Sequence, residues 1–196
     1  MFAENSPITS KILVLDPGHG GSDSGAVNGT LREAGVTLDI ANRLKDLLET
    51  DGATVHLTRD CDCDRSNNDR YTIANSVGGN ALVSIHLNGS TDSNKNGTMG
   101  LWGKKTKDLD FAKVMHQALY PSLGVPDLGV TNFASGVLLK SEMPATITET
   151  VFITNSNEYN LLTDGTGNRQ QQIAQSLHDG LVNWFSLPPS PPKGRR

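Results

Sequence analysis

Cysteine, net charge and long apolar runs are all scarce in this chain of 196 residues. No segment approaches the roughly 18 apolar residues that a membrane-spanning helix needs. The formal net charge is -4 at pH 7, and the one basic cluster is the terminal run at residues 193–196, so the sequence lacks the basic surface of a nucleic-acid-binding protein. The first residues have neither the basic segment nor the apolar core of a signal peptide, and we expect none in this chain.

The two cysteines, Cys61 and Cys63, are separated by one residue in an acidic loop. A disulfide at this spacing would be strained, and a structural zinc site would need a second pair of ligands that the sequence does not contain. The flanking acidic residues disfavour the reactive thiolate form. We therefore expect exposed loop cysteines with no catalytic role.

Apolar periodicity predicts strands and helices that alternate along the chain. Strands are expected at residues 11–15, 54–58, 81–86, 98–102, 137–139 and 145–152, and helices at residues 32–50, 69–76, 109–119 and 169–185. This alternation indicates an α/β fold: a single domain with a mostly parallel, twisted central sheet covered by helices on both faces. We expect an N-terminal extension at 1–10, the folded domain at 11–186 and a proline-rich tail or linker at 187–196.

Four ionisable residues are expected to meet at one edge of this sheet. His19 follows the first strand, His86 ends the strand at 81–86, and Glu149 lies toward the end of the strand at 145–152. Glu33 lies in the first turn of a helix that starts at the same edge, on its inward-facing stripe. In open α/β sheets the carboxyl edge of the strands is where ligands bind.

These residue types suit a zinc hydrolase. Two histidines and one carboxylate leave a fourth tetrahedral position for water, and zinc lowers the pKa of that water toward about 7. A further carboxylate outside the ligand set can act as general base, and Glu149 is the candidate. Taken singly, each residue also has an ordinary role: His19 and His86 as turn hydrogen-bonders, Glu33 as a helix N-terminal acid, and Glu149 as the partner of an arginine such as Arg59 or Arg70.

The glycine-rich stretch at residues 18–25 also invites comparison with a phosphate-binding loop. It lacks both the Gly-Lys-Ser/Thr ending and the spacing of a dinucleotide fingerprint, so we set that interpretation aside.

Several spaced motifs resemble the zinc-dependent N-acetylmuramoyl-L-alanine amidases of the amidase 3 type, the catalytic domains of bacterial autolysins, cell-separation amidases and phage endolysins. The resemblance runs from about residue 11 to residue 185. The motifs that carry it are Asp-Pro-Gly-His-Gly-Gly at 16–21, Glu33 with Leu38, Thr-Arg-Asp at 58–60, Arg70 with Ala74 and Asn75, Ser-Ile-His-Leu-Asn at 84–88, and Glu149 with Phe152, Asn155 and Glu158.

The resemblance implies zinc (Zn²⁺) held by His19, Glu33 and His86, with Glu149 as general base. It implies peptidoglycan as substrate, cut between N-acetylmuramic acid and the L-alanine of the stem peptide, and therefore action at the cell wall. A cell-wall-binding module beyond the proline-rich tail would fit such an enzyme.

Two alternatives stay open: a zinc peptidase that cuts the stem peptide itself, and a non-catalytic wall-binding module. Departures from the family pattern lie beside the expected site and bear on substrate preference. They are Ala34 in place of a basic residue, Leu87 in place of a small one, and no acid in Thr98-Met99-Gly100.

Overall fold

The computed structural model describes residues 6–188, which form a six-stranded sheet with helices on both faces. The strands of this sheet are β1 (Ile12–Pro17), β4 (Thr54–Leu57), β5 (Ala81–Asn88), β6 (Thr98–Trp102), β7 (Asp127–Asn132) and β8 (Ala145–Phe152). A separate antiparallel hairpin consists of β2 (Val27–Asn28) and β3 (Leu31–Arg32). The helices are α1 (Glu33–Thr50), α2 (Asn67–Ser76), α3 (Leu109–Leu123), α4 (Gly136–Lys140), α5 (Ser156–Thr163) and α6 (Asn168–Ser186).

The strand order is β4-β1-β5-β8-β6-β7. The first four strands of this order are parallel, β6 runs antiparallel to β8, and β7 runs parallel to β6. The predicted single-domain α/β fold with a mostly parallel sheet is therefore confirmed. Because β1, β5 and β8 are parallel neighbours, their carboxyl ends meet at one edge.

Two apolar layers cover the sheet. On one face, α1, α3 and α6 form the larger core, in which α1 contributes the fully buried Ile40, Leu44 and Leu48 at helical spacing. On the other face, α2 and α4 close a smaller cluster that includes Val137 and Leu138 of α4. Ile8, which precedes β1, is also fully buried in the larger core.

The sequence-based assignment was wrong at residues 137–139, which belong to α4 and not to a strand. A short apolar run is compatible with either structure, and here its side chains pack down onto the sheet. The hairpin, β7 and α5 were not predicted, since their short, polar segments lack apolar periodicity. Most of the predicted tail, at residues 189–196, lies outside the described residues.

Among residues 6–188, no helix combines the length and apolar character needed to cross a lipid bilayer.

Candidate metal centre and groove

Three of the four predicted site residues form a tight cluster at the carboxyl edge of the sheet. His19 lies two residues past the end of β1, His86 lies in β5, and Glu33 is the first residue of α1. The Oε1 atom of Glu33 lies 3.1 Å from His19 Nε2 and 3.2 Å from His86 Nδ1. The two histidine nitrogens are 3.1 Å apart. Each residue thus offers one ligand atom toward a common point.

The spacing of these atoms suits a zinc ion. Tetrahedral zinc with ligand distances of about 2.0–2.1 Å separates its ligand atoms by roughly 3.3–3.4 Å. The observed separations of 3.1–3.2 Å are close to that value. The donor set of two imidazoles and one carboxylate is also that of open zinc sites with three protein ligands.

Outer contacts fix the orientation of these side chains. His19 Nδ1 lies 2.8 Å from a carboxylate oxygen of Asp23, so its Nε2 is directed into the cluster. Glu33 is buried, and its two oxygens accept hydrogen bonds from the backbone N–H groups of Leu87 (2.9 Å) and Ala26 (2.8 Å). Such contacts hold metal ligands in one rotamer and tautomer.

The electrostatics of the cluster favour an ionised Glu33. Burial raises the pKa of Glu33, but hydrogen bonds from His19 and His86 outweigh it and lower the pKa to about 2. Burial lowers the pKa of His19, but its contacts with Glu33 and Asp23 prevail and raise the pKa to about 9. The cluster therefore attracts positive charge: protons when no metal is present, or a divalent cation in their place.

The fourth predicted residue, Glu149, lies on β8 directly beside His86 in the strand register. Its side chain lines the same groove as the three-residue cluster. Burial and the nearby Glu33 carboxylate raise the pKa of Glu149, against the opposing effect of the histidines. Arg59 and Arg70, considered from the sequence as partners for this carboxylate, bond elsewhere. Glu149 is thus a half-buried carboxylate that faces the groove.

Arg59 and Arg70 hold the loop that carries His19, a role that sequence reasoning missed. Arg59 donates to the carbonyl oxygens of Pro17 (3.0 Å) and Gly18 (2.8 Å). Arg70 donates to the carbonyl oxygens of Pro17 (2.7 Å) and His19 (2.8 Å), and it pairs with the buried Asp16 at 2.7 Å. His19 has a φ of 61°, which is unfavourable for a residue with a side chain. These bonds to three successive carbonyls stabilise that conformation.

Two glycines make room for the cluster. A Cβ at Gly18 would lie 2.3 Å from Cε1 of His86, and one at Gly25 would lie 2.6 Å from Oε2 of Glu33. Gly25 also has a φ of 63°, in the left-handed region that favours glycine.

The sequence disfavoured a disulfide between Cys61 and Cys63, and this was wrong, because the two are joined in one. That these loop cysteines have no catalytic role stays a prediction. The loop curls enough to bring their Cα atoms to 5.3 Å, which is within the usual range for a disulfide. The same loop accepts hydrogen bonds from the backbone of the glycine-rich segment: Gly21 N–H donates to Asp62 (2.8 Å) and Ser22 N–H to Asp64 (2.9 Å). The cysteine loop thus supports the segment just after His19.

An open groove of about 580 Å³ surrounds the cluster and continues along the sheet toward α2 and α4. Its floor includes Met99, Leu101 and Ile147, from the antiparallel pair β6 and β8. Ala26, Asn88 and Gly89 also line it, and the remaining walls include Arg65, Asn67, Phe133 and Ser135.

Fold and site together define a class of protein: an α/β domain whose strand ends carry a His-Glu-His cluster that could hold a metal ion. Residues 13–183 match the family described as Amidase_3: N-acetylmuramoyl-L-alanine amidase, and the chain belongs to this family.

Curated relatives agree with this membership. The chain is 33% identical over 183 residues to N-acetylmuramoyl-L-alanine amidase LytC of Bacillus subtilis, a match that covers 92% of this chain and 36% of LytC. It is 33% identical to the probable cell wall amidase LytH of Staphylococcus epidermidis, over 93% of this chain and 61% of LytH. With the germination-specific amidase of Bacillus subtilis it shares 31% identity, over 95% of this chain and 85% of the relative. The chain spans less than two thirds of LytC and LytH.

Solved structures show the same fold. The catalytic domain of CwlV from Bacillus (Paenibacillus) polymyxa superposes with a TM-score of 0.83 at 30% identity, covering 90% of this chain and 98% of that one. AmiC2 of Nostoc punctiforme gives a TM-score of 0.84 at 30% identity, with the same coverage. Both are described as N-acetylmuramoyl-L-alanine amidases.

Proposed function

We propose that the domain at residues 11–186 is a zinc-dependent N-acetylmuramoyl-L-alanine amidase that acts at the cell wall. Its substrate is peptidoglycan, cleaved at the amide bond between the lactyl group of N-acetylmuramic acid and L-alanine. The observation that carries this proposal is the His19–Glu33–His86 cluster, with atom separations of 3.1–3.2 Å, inside a chain that belongs to an amidase family.

In this proposal His19, Glu33 and His86 hold the zinc ion through Nε2, Oε1 and Nδ1. When bound, zinc supplies Lewis acidity, which acidifies water and polarises the scissile carbonyl. The residues around the ligands then keep the site in one geometry. Asp23 orients His19, while the backbone of Leu87 and Ala26 orients Glu33.

Glu149 is the proposed general base. It takes a proton from the attacking water and returns it to the nitrogen of the leaving L-alanine. Its raised pKa favours this exchange, because a carboxylate with pKa closer to neutrality holds a transferred proton better. Its position next to His86 in the register, together with a metal-binding cluster formed by the other three residues, supports this role.

The test is digestion of purified peptidoglycan, with metal analysis and mass spectrometry of the products. An amidase frees peptides that begin with L-alanine and leaves lactyl ends on the glycan. Fragments cut within the stem peptide would instead identify a zinc peptidase. A protein that binds the wall and releases nothing would be a binding module, although a binder has no use for all four site residues.

A further inference from the structure

The groove carries a cation that the metal centre does not use. Arg65 lies in the loop between β4 and α2, is exposed, and lines the groove together with the site residues. Within residues 6–188, no carboxylate lies within 4.0 Å of its guanidinium, whereas Arg70, which also lines the groove, is paired with Asp16. Arg65 is therefore the groove cation still available to a ligand.

The Arg65 side chain is held in place. Its Nε donates to the carbonyl of Thr58 (3.1 Å) and its Nη1 to the carbonyl of Asp64 (3.2 Å). Its own carbonyl accepts a hydrogen bond from Arg70 Nε at 3.1 Å. These contacts leave the outer N–H groups of the guanidinium for a further acceptor, and a fixed guanidinium loses little entropy when it binds one.

Its contacts place Arg65 on the α2 side of the groove. It bonds to Thr58, just past β4, and its carbonyl accepts from Arg70, which also binds the carbonyl of His19 (2.8 Å). Asn67, two residues on, also lines the groove and approaches α4: its Cβ lies 3.4 Å from where a Cβ on Gly136 would be.

The charge decides which half of the substrate lies there. The lactyl carboxyl of muramic acid is consumed in the amide, so the sugar half carries hydroxyl and acetamido groups. The stem peptide carries carboxylates on its second and third residues when these are not amidated. A guanidinium binds a carboxylate through charge-assisted hydrogen bonds. We propose that Arg65 is a specificity residue that binds a free carboxylate on the second or third stem residue, with the glycan toward Ala26, Asn88 and Gly89. This inference rests on the proposed amidase function.

The test compares muramoyl-tripeptides that differ in one carboxylate. One pair has glutamate or its amide at the second residue, and the other has a third-residue diamino acid with or without a side-chain carboxylate. We expect the wild-type protein to prefer the carboxylate form of one pair by about tenfold in kcat/KM, mainly through KM, and that pair identifies the residue bound.

Arg65→Gln should lower kcat/KM only for the preferred substrate, to the level of its amide or carboxylate-free counterpart. Arg65→Lys should keep more of the preference than Arg65→Gln, because lysine retains the positive charge but lacks the planar, hydrogen-bonded guanidinium. Lys113→Gln, which removes an exposed charge from α3, is the matched control. It should change neither kcat/KM for the preferred substrate nor the preference within the pair. Equal rates within both pairs for the wild type, or an equal loss on both members in Arg65→Gln, would overturn the inference and leave the amidase function intact. Failure of the wild type to cleave any of these substrates would instead overturn the amidase function.

Discussion

A single methyl group at Gly18 should disable the metal centre. In Gly18→Ala the new Cβ would lie 2.3 Å from Cε1, 2.5 Å from Nε2 and 2.6 Å from Nδ1 of His86. Normal contacts between carbon atoms are about 3.5–4.0 Å, so the ring has to retreat by roughly 1 Å. The backbone cannot retreat instead, because Gly18 N–H donates to Ile85 and its carbonyl accepts from Thr37 and Arg59.

The expected loss follows from the tolerance of such sites. Metal and catalytic groups work within about 0.5 Å of their productive geometry, and a displacement of 1 Å costs about 100-fold in rate. We therefore expect Gly18→Ala to lower kcat/KM on peptidoglycan fragments by about 100-fold and to weaken zinc binding by at least tenfold. A chelator competition assay measures zinc affinity, and thermal unfolding shows whether the variant is folded.

Gly35→Ala is the matched control, since an added Cβ there meets nothing within 4 Å and Gly35 is exposed on α1. It should leave zinc affinity and rate unchanged and stabilise the helix by roughly 0.5–1 kcal/mol. Wild-type zinc affinity and rate in a folded Gly18→Ala variant would refute the reasoning.

Three further predictions concern the catalytic base, the buried pair and the disulfide. Glu149→Gln should keep zinc at one equivalent but lose about 100-fold or more in kcat, and near-normal kcat would remove Glu149 from the mechanism. Asp16→Asn leaves Arg70 buried without its partner and should cost about 3–5 kcal/mol in urea unfolding at pH 7. Burial raises the pKa of Asp16, but Arg70 and the hydroxyls of Ser84 and Thr58 lower it below 3.8. The stabilisation is therefore complete above that pH and is lost as the pH falls below it, by up to about 1.4 kcal/mol per pH unit. If the free energy of unfolding of Asp16→Asn fell equally steeply with falling pH, this assignment to Asp16 would be contradicted. Replacing Cys61 and Cys63 with serine should cost no more than about 1.5 kcal/mol, because the disulfide closes a very short loop. A loss of several kcal/mol in chemical denaturation would show that the disulfide does more than close this loop.

Long periodic segments made the fold predictable. The stripe of α1 with Ile40, Leu44 and Leu48, and the buried runs of β1 and β5, contain the apolar pattern that sets a parallel sheet. The shared edge of parallel strands then brings the three residues together, since His19 lies two residues past β1, Glu33 begins α1 and His86 lies near the end of β5.

What remained hidden depends on contacts between distant residues. The bonds from Arg59 and Arg70 to backbone carbonyls leave no pattern in the sequence, because every residue has a backbone carbonyl whatever its side chain. The curl that closes the Cys61–Cys63 disulfide depends on how the loop bonds to Gly21 and Ser22.

The two arginines that bind the His19 loop lie later in the chain than the loop itself. Arg59 follows β4 and Arg70 belongs to α2, while the last residue of the three-residue cluster, His86, lies in β5. A growing chain therefore has both supports of the loop once residue 70 is in place, but it lacks the third residue of the cluster until residue 86. Completion of the cluster is thus a late event that reports correct docking of the whole N-terminal half.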